Sequence, residues 1–154
     1  MGAAARLLLD KLLSTSALSK QDCAFASALV YGTLERRLTL DWALRQYSKQ
    51  RVKDMHPLVR QVLRISFYQL LYMDSIPKSA VLNEAVELCK RMGLVRSGGF
   101  VNAVLRSFVR AGLQYKLPDR NDRTRFLSVC FSCPEPLVSK WLAAYGEKRT
   151  EQIL

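Results

Sequence analysis

The sequence predicts an all-α protein: two packed helical sub-bundles followed by a helical C-terminal linker. Three observations carry this. No stretch alternates apolar and polar residues long enough to read as a strand. Apolar residues recur at helical spacing, most clearly in two runs between Ser79 and Arg110. Glycine and proline are sparse, 7 and 5 residues, so disorder is expected only at the ends and around residues 114–121.

Ala3 to Leu13 reads as a short leucine-rich helix, broken by Ser14-Thr15-Ser16. Ser19 is placed to cap the next helix, with Asp22 three residues on, close to capping-box spacing. That helix runs from about Lys20 to Arg37 and puts Phe25, Ala28, Leu29 and Gly32 on one face. A glycine inside a helix costs about 1 kcal/mol relative to alanine, so Gly32 is expected to admit the close approach of another helix. Thr39 is expected to cap a helix carrying Leu40, Ala43, Leu44 and Tyr47. Ser48 to Met55 is polar and basic, the candidate boundary between sub-bundles. Pro57 opens a strongly apolar helix, where its missing N–H is harmless. Val59, Val62, Leu63, Ser66, Leu70 and Met73 form one face of that helix, and Arg60, Arg64, Tyr68 and Tyr72 form a second stripe.

After a turn over Asp74–Pro77, the central pair begins. In its first helix Val81, Ala85, Leu88 and Met92 share a face, flanked by Leu82 and Cys89. In its second, Phe100, Val101, Val104, Leu105, Phe108 and Val109 form the buried stripe, opposite Asn102, Arg106 and Arg110. Ser97 is the expected N-cap, with Gly98 and Gly99 leaving the first-turn N–H groups uncovered. Gly112 ends this helix and the predicted main domain, residues 1–112. Residues 113–154 form the predicted linker: an extended stretch with Pro118, a helix capped by Asp122, a turn at Ser132-Cys133-Pro134, a helix from Glu135 to Tyr145 stopped by Gly146, and the start of one more element.

The 24 Lys and Arg residues against 13 Asp and Glu give a formal net charge of +11, which favours polyanionic partners. No terminal segment joins a long apolar run to a basic flank, and Leu7-Leu8-Leu9 is too short to span a bilayer, so a cytoplasmic location without a membrane partner is expected. Four cysteines without a signal peptide fit a reducing compartment. Cys130 and Cys133 have C-x-x-C spacing, but no second pair or nearby histidine completes a zinc site, so small buried thiols are expected and no metal. His56 is alone beside a proline, which marks a turn residue rather than a base. Ser97-Gly98-Gly99 follows a helix, not a strand, and is no dinucleotide loop.

One set of segments carries a resemblance. Asn83-Glu84-Ala85-Val86-Glu87-Leu88 and Phe100-Val101-Asn102-Ala103-Val104-Leu105-Arg106, joined by a short basic and glycine-containing connection, resemble the NusB-type helical domain. The form ending in Arg106 is most similar to the version at the N-terminus of the RsmB (Sun, Fmu) family of bacterial small-subunit rRNA cytosine-C5 methyltransferases. Asp22–Phe25 leading to Leu29–Arg36, Pro57–Arg60, Phe67–Tyr72 and Ile76–Ala80 agree in order. In the tail, Phe131–Val138, Trp141 and Tyr145-Gly146 resemble the segment joining the helical to the catalytic domain, with Cys133 and Pro136 where the family usually carries His and Trp. The resemblance implies S-adenosylmethionine and a cysteine nucleophile in a separate α/β domain. Neither is read in this chain, so no catalytic residue and no cofactor are expected here. In the family a further arginine-bearing helix, the domain's first, precedes the stretch matching Leu7–Leu13, and Met1–Ala5 begins where it should have ended, so RNA affinity is expected to be partial.

The expected function is therefore non-catalytic: contact with small-subunit rRNA, beside the protein's own catalytic domain. One candidate group is Lys90, Arg91, Arg96, Asn102, Arg106 and Arg110, with Ser97, Gly98 and Gly99 as a phosphate seat. A second is Arg36, Arg37, Arg45, Lys49, Arg51 and Lys53. A third combines Arg60 and Arg64 with Tyr68 and Tyr72. Each has a structural reading too: Asn102 as a hydrogen-bonder to Glu84 or a helix end, the tyrosines as inter-helix packing, the arginines as solvated. Two further functions remain open: an antitermination factor binding leader RNA, and a domain that only packs on its catalytic partner.

Overall fold

The computed structural model describes the backbone over residues 3–154 and the side chains of residue 7 and residues 9–154. Met1 and Gly2, on which the expectation of a lost first helix partly rests, lie outside the described residues. The elements are α1 (Ala3–Thr15), α2 (Lys20–Glu35), α3 (Arg37–Leu44), α4 (Pro57–Tyr72), α5 (Lys78–Arg91), α6 (Gly98–Arg110), α7 (Arg123–Phe131) and α8 (Glu135–Ile153), with single 3-10 turns at Val52–Asp54 and Val95–Ser97. Among the described residues there is no strand, as the missing period-2 alternation predicts.

Local chemistry sets several boundaries as expected. Ser19 accepts from the Asp22 N–H at 3.1 Å and starts α2. Pro57 opens α4, and His56 caps it, its Nδ1 accepting from the Leu58 N–H at 3.1 Å. Asp122 caps α7 through the Arg125 N–H at 3.2 Å. Two expected caps differ. Ser97 makes no capping hydrogen bond: its backbone is already helical, and the 3-10 turn runs straight into α6. Thr39 lies inside α3, because the chain turns at Arg36 and α2 ends sooner than its pattern suggests. Buried Thr39 instead donates to the Val129 carbonyl of α7.

The main core joins α3, α4, α5 and α6. Leu40 and Leu44 lie on one side of the 48–55 connection, Met55 and Val59 on the other, and all four share this cluster. The connection turns the chain without dividing the core. At the centre Phe67 stacks on Phe108, centroids 4.1 Å apart and planes 2° apart, with Tyr47 against Phe108 at 5.0 Å. Phe67 is fully buried, although the apolar face expected from spacing includes Met73 and not Phe67. Burial was distributed over a wider arc of α4 because α2, α3, α5 and α6 all pack on it.

The start of the 114–121 stretch is held against α3 and the residues that follow it. The Trp42 indole N–H donates to the Lys116 carbonyl at 2.6 Å, and the Gln46 side-chain amide bonds both the N–H and the carbonyl of Lys116. The Tyr47 hydroxyl donates to the Gln114 carbonyl. Beyond it, Leu127, Cys133 and Val138 form a second small core with Trp141, Leu142 and Leu154 around it. At Gly146 the backbone reaches φ 77°, ψ 171°, a conformation open essentially to glycine alone. α8 kinks there, which lets Glu147 and Glu151 return to Arg123.

Candidate nucleic-acid interface

The α5–α6 hairpin packs Val81, Ala85 and Cys89 against the core beside Val101, Val104, Leu105 and Phe108. With those faces buried, the polar sides of both helices turn outward together. Gly98 is buried where the two helices meet, and a Cβ there would touch Val86 Cγ1 at 3.5 Å, an ordinary contact distance. The result is a shallow cavity of about 410 Å³ that collects Lys90, Gly98, Gly99, Asn102 and Arg106, together with Asn83 and Glu87. Arg91, Arg96 and Arg110 are exposed but do not line it, and Ser97 is half-buried.

Charge in this cavity is mixed. Lys90 lies 3.3 Å from Glu87, with both side chains about half exposed, so the pair is weak and solvent-screened. Arg106 and Arg110 stand one helical turn apart without an ion pair among the described residues. Asn102 faces the cavity rather than bonding Glu84. Asn83 and Glu87 line it as well, and their i, i+4 spacing, continued at Lys90, is the sequence signal for that shared face.

The second group divides. Arg45, Lys49 and Arg51 line a larger cavity of about 760 Å³ between α3, the 48–55 connection, α7 and the start of α8. Arg37 and Lys53 are exposed elsewhere on the surface. Arg36 lies over the Tyr72 ring, 5.5 Å from its centroid. Trp42, which no sequence argument singled out, lines the larger cavity with Arg45 4.2 Å above its ring.

The third group is built into the fold. Arg64 donates to both carboxylate oxygens of Asp41 at 2.7 Å, with its side chain 11% exposed. Arg60 is half-buried, its Nη1 3.5 Å from the Val52 carbonyl and its Nε enclosed without a partner. Tyr68 fills the space over Gly32 and stands 5.1 Å from Tyr72. Burial, then Tyr72 beside it, pushes the Tyr115 hydroxyl up, against the opposing pull of Arg36. Asp41, the one carboxylate in α3, was the sequence signal that Arg64 is engaged internally. All four cysteines are free thiols, and burial pushes those of Cys89, Cys130 and Cys133 up. Among the described residues no helix is long and apolar enough to cross a membrane, and no cluster of three or more metal-ligating side chains occurs.

These helices fit known sequences. The chain is 40% identical over 149 residues to the probable ribosomal RNA small subunit methyltransferase B of Bacillus subtilis (strain 168), covering 96% of this chain and 32% of that protein. It is 32% identical over 145 residues to the protein of the same description from Synechocystis sp. (strain ATCC 27184 / PCC 6803 / Kazusa), covering 94% of this chain and 32% of that one. It is 40% identical over 84 residues to the transcription antitermination protein NusB of Xanthomonas campestris pv. campestris (strain B100), covering 54% of this chain and 53% of that protein. The chain thus spans about a third of the length of the two methyltransferase relatives. No solved structure matches it significantly. With the all-helical fold and a match to the family's sequence pattern over residues 2–110, the chain belongs to the NusB family.

Proposed function

We propose that this chain is the RNA-binding, non-catalytic N-terminal part of a small-subunit rRNA cytosine-C5 methyltransferase. The observation that carries the reading is the pairing of a +11 net charge with relatives that align along the tail as well as the bundle. An alignment of 149 residues leaves at most a few of residues 113–154 uncovered, and the NusB relative is matched over 84 residues only. That difference favours the methyltransferase reading over the antitermination one.

In this reading the chain's own residues bind and orient. Arg96, Arg106 and Arg110 offer exposed guanidinium groups to phosphates, and Asn102 offers an amide to a base edge or sugar. S-adenosylmethionine and the cytosine chemistry belong to the remaining length of such a protein. The group's usual seat is a parallel α/β sheet, which a helical bundle does not supply. The test is a titration against a small-subunit rRNA fragment, with duplex DNA of equal length as control. RNA preferred over DNA near physiological salt, and weakened about tenfold or more by joint neutralisation of Arg96, Arg106 and Arg110, supports the reading. Equal, salt-sensitive binding to both would sink it.

A second reading has one observation behind it. Leu7, Leu12, Leu18, Phe25 and Leu34 are exposed along α1, α2 and the turn between them, a surface suited to contact with the protein's own catalytic domain. Tight association with that domain, expressed separately and free of RNA, would favour it.

A further inference from the structure

The cavity of about 760 Å³ beside α3 lies within the size range of ligand-binding sites. Its apolar floor comes from Leu38, Trp42, Val52, Val129 and Pro134. Four cations and two carboxylates line it: Arg45, Lys49, Arg51 and Arg125 against Asp41 and Glu135. Asp41 is held by Arg64 at 2.7 Å, while Arg125 and Arg51 face carboxylates in exposed, solvent-screened pairs, 3.4 Å from Glu135 and 3.0 Å from Asp54. Arg45 and Lys49 remain, exposed and without an ion pair among the described residues.

Arg45 is also oriented. Its guanidinium carbon lies 4.2 Å from the centre of the Trp42 ring, and Trp42 is itself fixed by the 2.6 Å hydrogen bond from its indole N–H to the Lys116 carbonyl. The indole thus holds the guanidinium at the cleft, where Arg45 is exposed to a ligand. A flat cation held on an aromatic ring, over an apolar floor and beside a free ammonium, suits a flat base with an attached phosphate.

We infer that this cleft takes an unpaired nucleotide of a single-stranded RNA segment. The base would stack on the Arg45–Trp42 pair and its phosphate would meet Lys49. The inference rests on the RNA-binding reading above and adds a second contact site to the α5–α6 cavity. The cleft depends on the tail: Arg125, Ser128, Val129, Pro134 and Glu135 form one wall, all beyond residue 110, where the family match ends. α7 is held against α3 by the Thr39 hydroxyl on the Val129 carbonyl and by the Leu38 N–H on Ser132 Oγ at 3.1 Å. The cleft therefore needs this tail, over which the two methyltransferase relatives also align.

The chain holds 2 tryptophans, so W141F leaves Trp42 as the sole indole reporter. That protein would be titrated with a labelled, unstructured oligoribonucleotide of roughly ten nucleotides, following oligonucleotide anisotropy and Trp42 emission together. The expected result is a change in Trp42 emission that saturates with the anisotropy. R45Q with K49Q, both at exposed positions, should weaken binding about tenfold and remove the emission change. Neutralising Arg96, Arg106 and Arg110 should leave the emission change at saturation intact. Binding by anisotropy with Trp42 emission unmoved overturns the cleft and leaves the RNA-binding reading standing; that outcome would also follow if the cleft were a protein contact. Failure of the oligonucleotide to bind at all overturns both.

Discussion

Tyr68 and Gly32 show how one missing side chain positions another. A Cβ at residue 32 would lie 2.1 Å from the Tyr68 ring and hydroxyl, far inside contact distance. The tyrosine can cross α2 only because that position is glycine. Gly32→Ala is expected to destabilise the fold by about 1–3 kcal/mol, through forced displacement of Tyr68. Denaturant unfolding should show a smaller loss for the same change in a Tyr68→Ala background, since the clash is then gone. Equal losses in both backgrounds would show that the ring is not the cause. Arg64 makes a parallel case for charge. Its bidentate pair with Asp41 is 11% exposed on the arginine side and 25% on the aspartate side. Arg64→Gln is expected to cost about 1–3 kcal/mol, discounted from the fully buried case because Asp41 keeps some water.

At the scale of elements, the periodic patterns placed α4, α5 and α6 well because each carries one strong apolar stripe. They misjudged the junction between α2 and α3. Nothing in Glu35–Leu38 breaks helical periodicity; the break arises because α3 must turn to meet both α4 and α7. α8 is the opposite case, since the glycine at its kink was visible in the sequence. Gly146 adopts φ 77° with open space around its Cα, so an alanine would meet strain and no clash. Gly146→Ala should cost about 1–3 kcal/mol, localised to the tail. Hydrogen exchange should show the loss of protection in residues 123–154 and little change in α4–α6. A uniform loss would mean that the tail and the bundle unfold as one unit.

For the molecule as a whole, a net charge of +11 is a statement about its field, not about any one site. Neutralising three arginines that touch phosphates should lower the salt dependence of single-stranded RNA binding by about 2 in the slope of log K against log salt. An unchanged slope for the Arg96, Arg106 and Arg110 variant would place those residues off the RNA. The structure also sorts the twenty-odd cations in a way composition does not. Arg64 is engaged by a partly buried carboxylate, Arg123 by Glu147 and Glu151 at the surface of the tail, and Arg36 lies over a tyrosine. Arg91, Arg96, Arg106 and Arg110 stay at the surface near one hairpin.

The helical class, most helix limits, the hairpin of α5 and α6, and the basic character were all legible in residue order. They follow from local rules: a 3.6-residue period, capping chemistry at Ser19 and Asp122, and summed charge. The candidate site was legible only in part. Lys90, Asn102 and Arg106 converge as their spacing suggests, but the cleft around Trp42 joins residues 38–52 to residues 125–135. No local pattern links those segments. They meet because Thr39, Trp42 and Gln46 satisfy polar backbone groups of the returning tail, whose carbonyls would otherwise lose partners on approaching α3. Long-range pairing of this kind depends on where the main core has already placed α3, and periodicity carries no record of that.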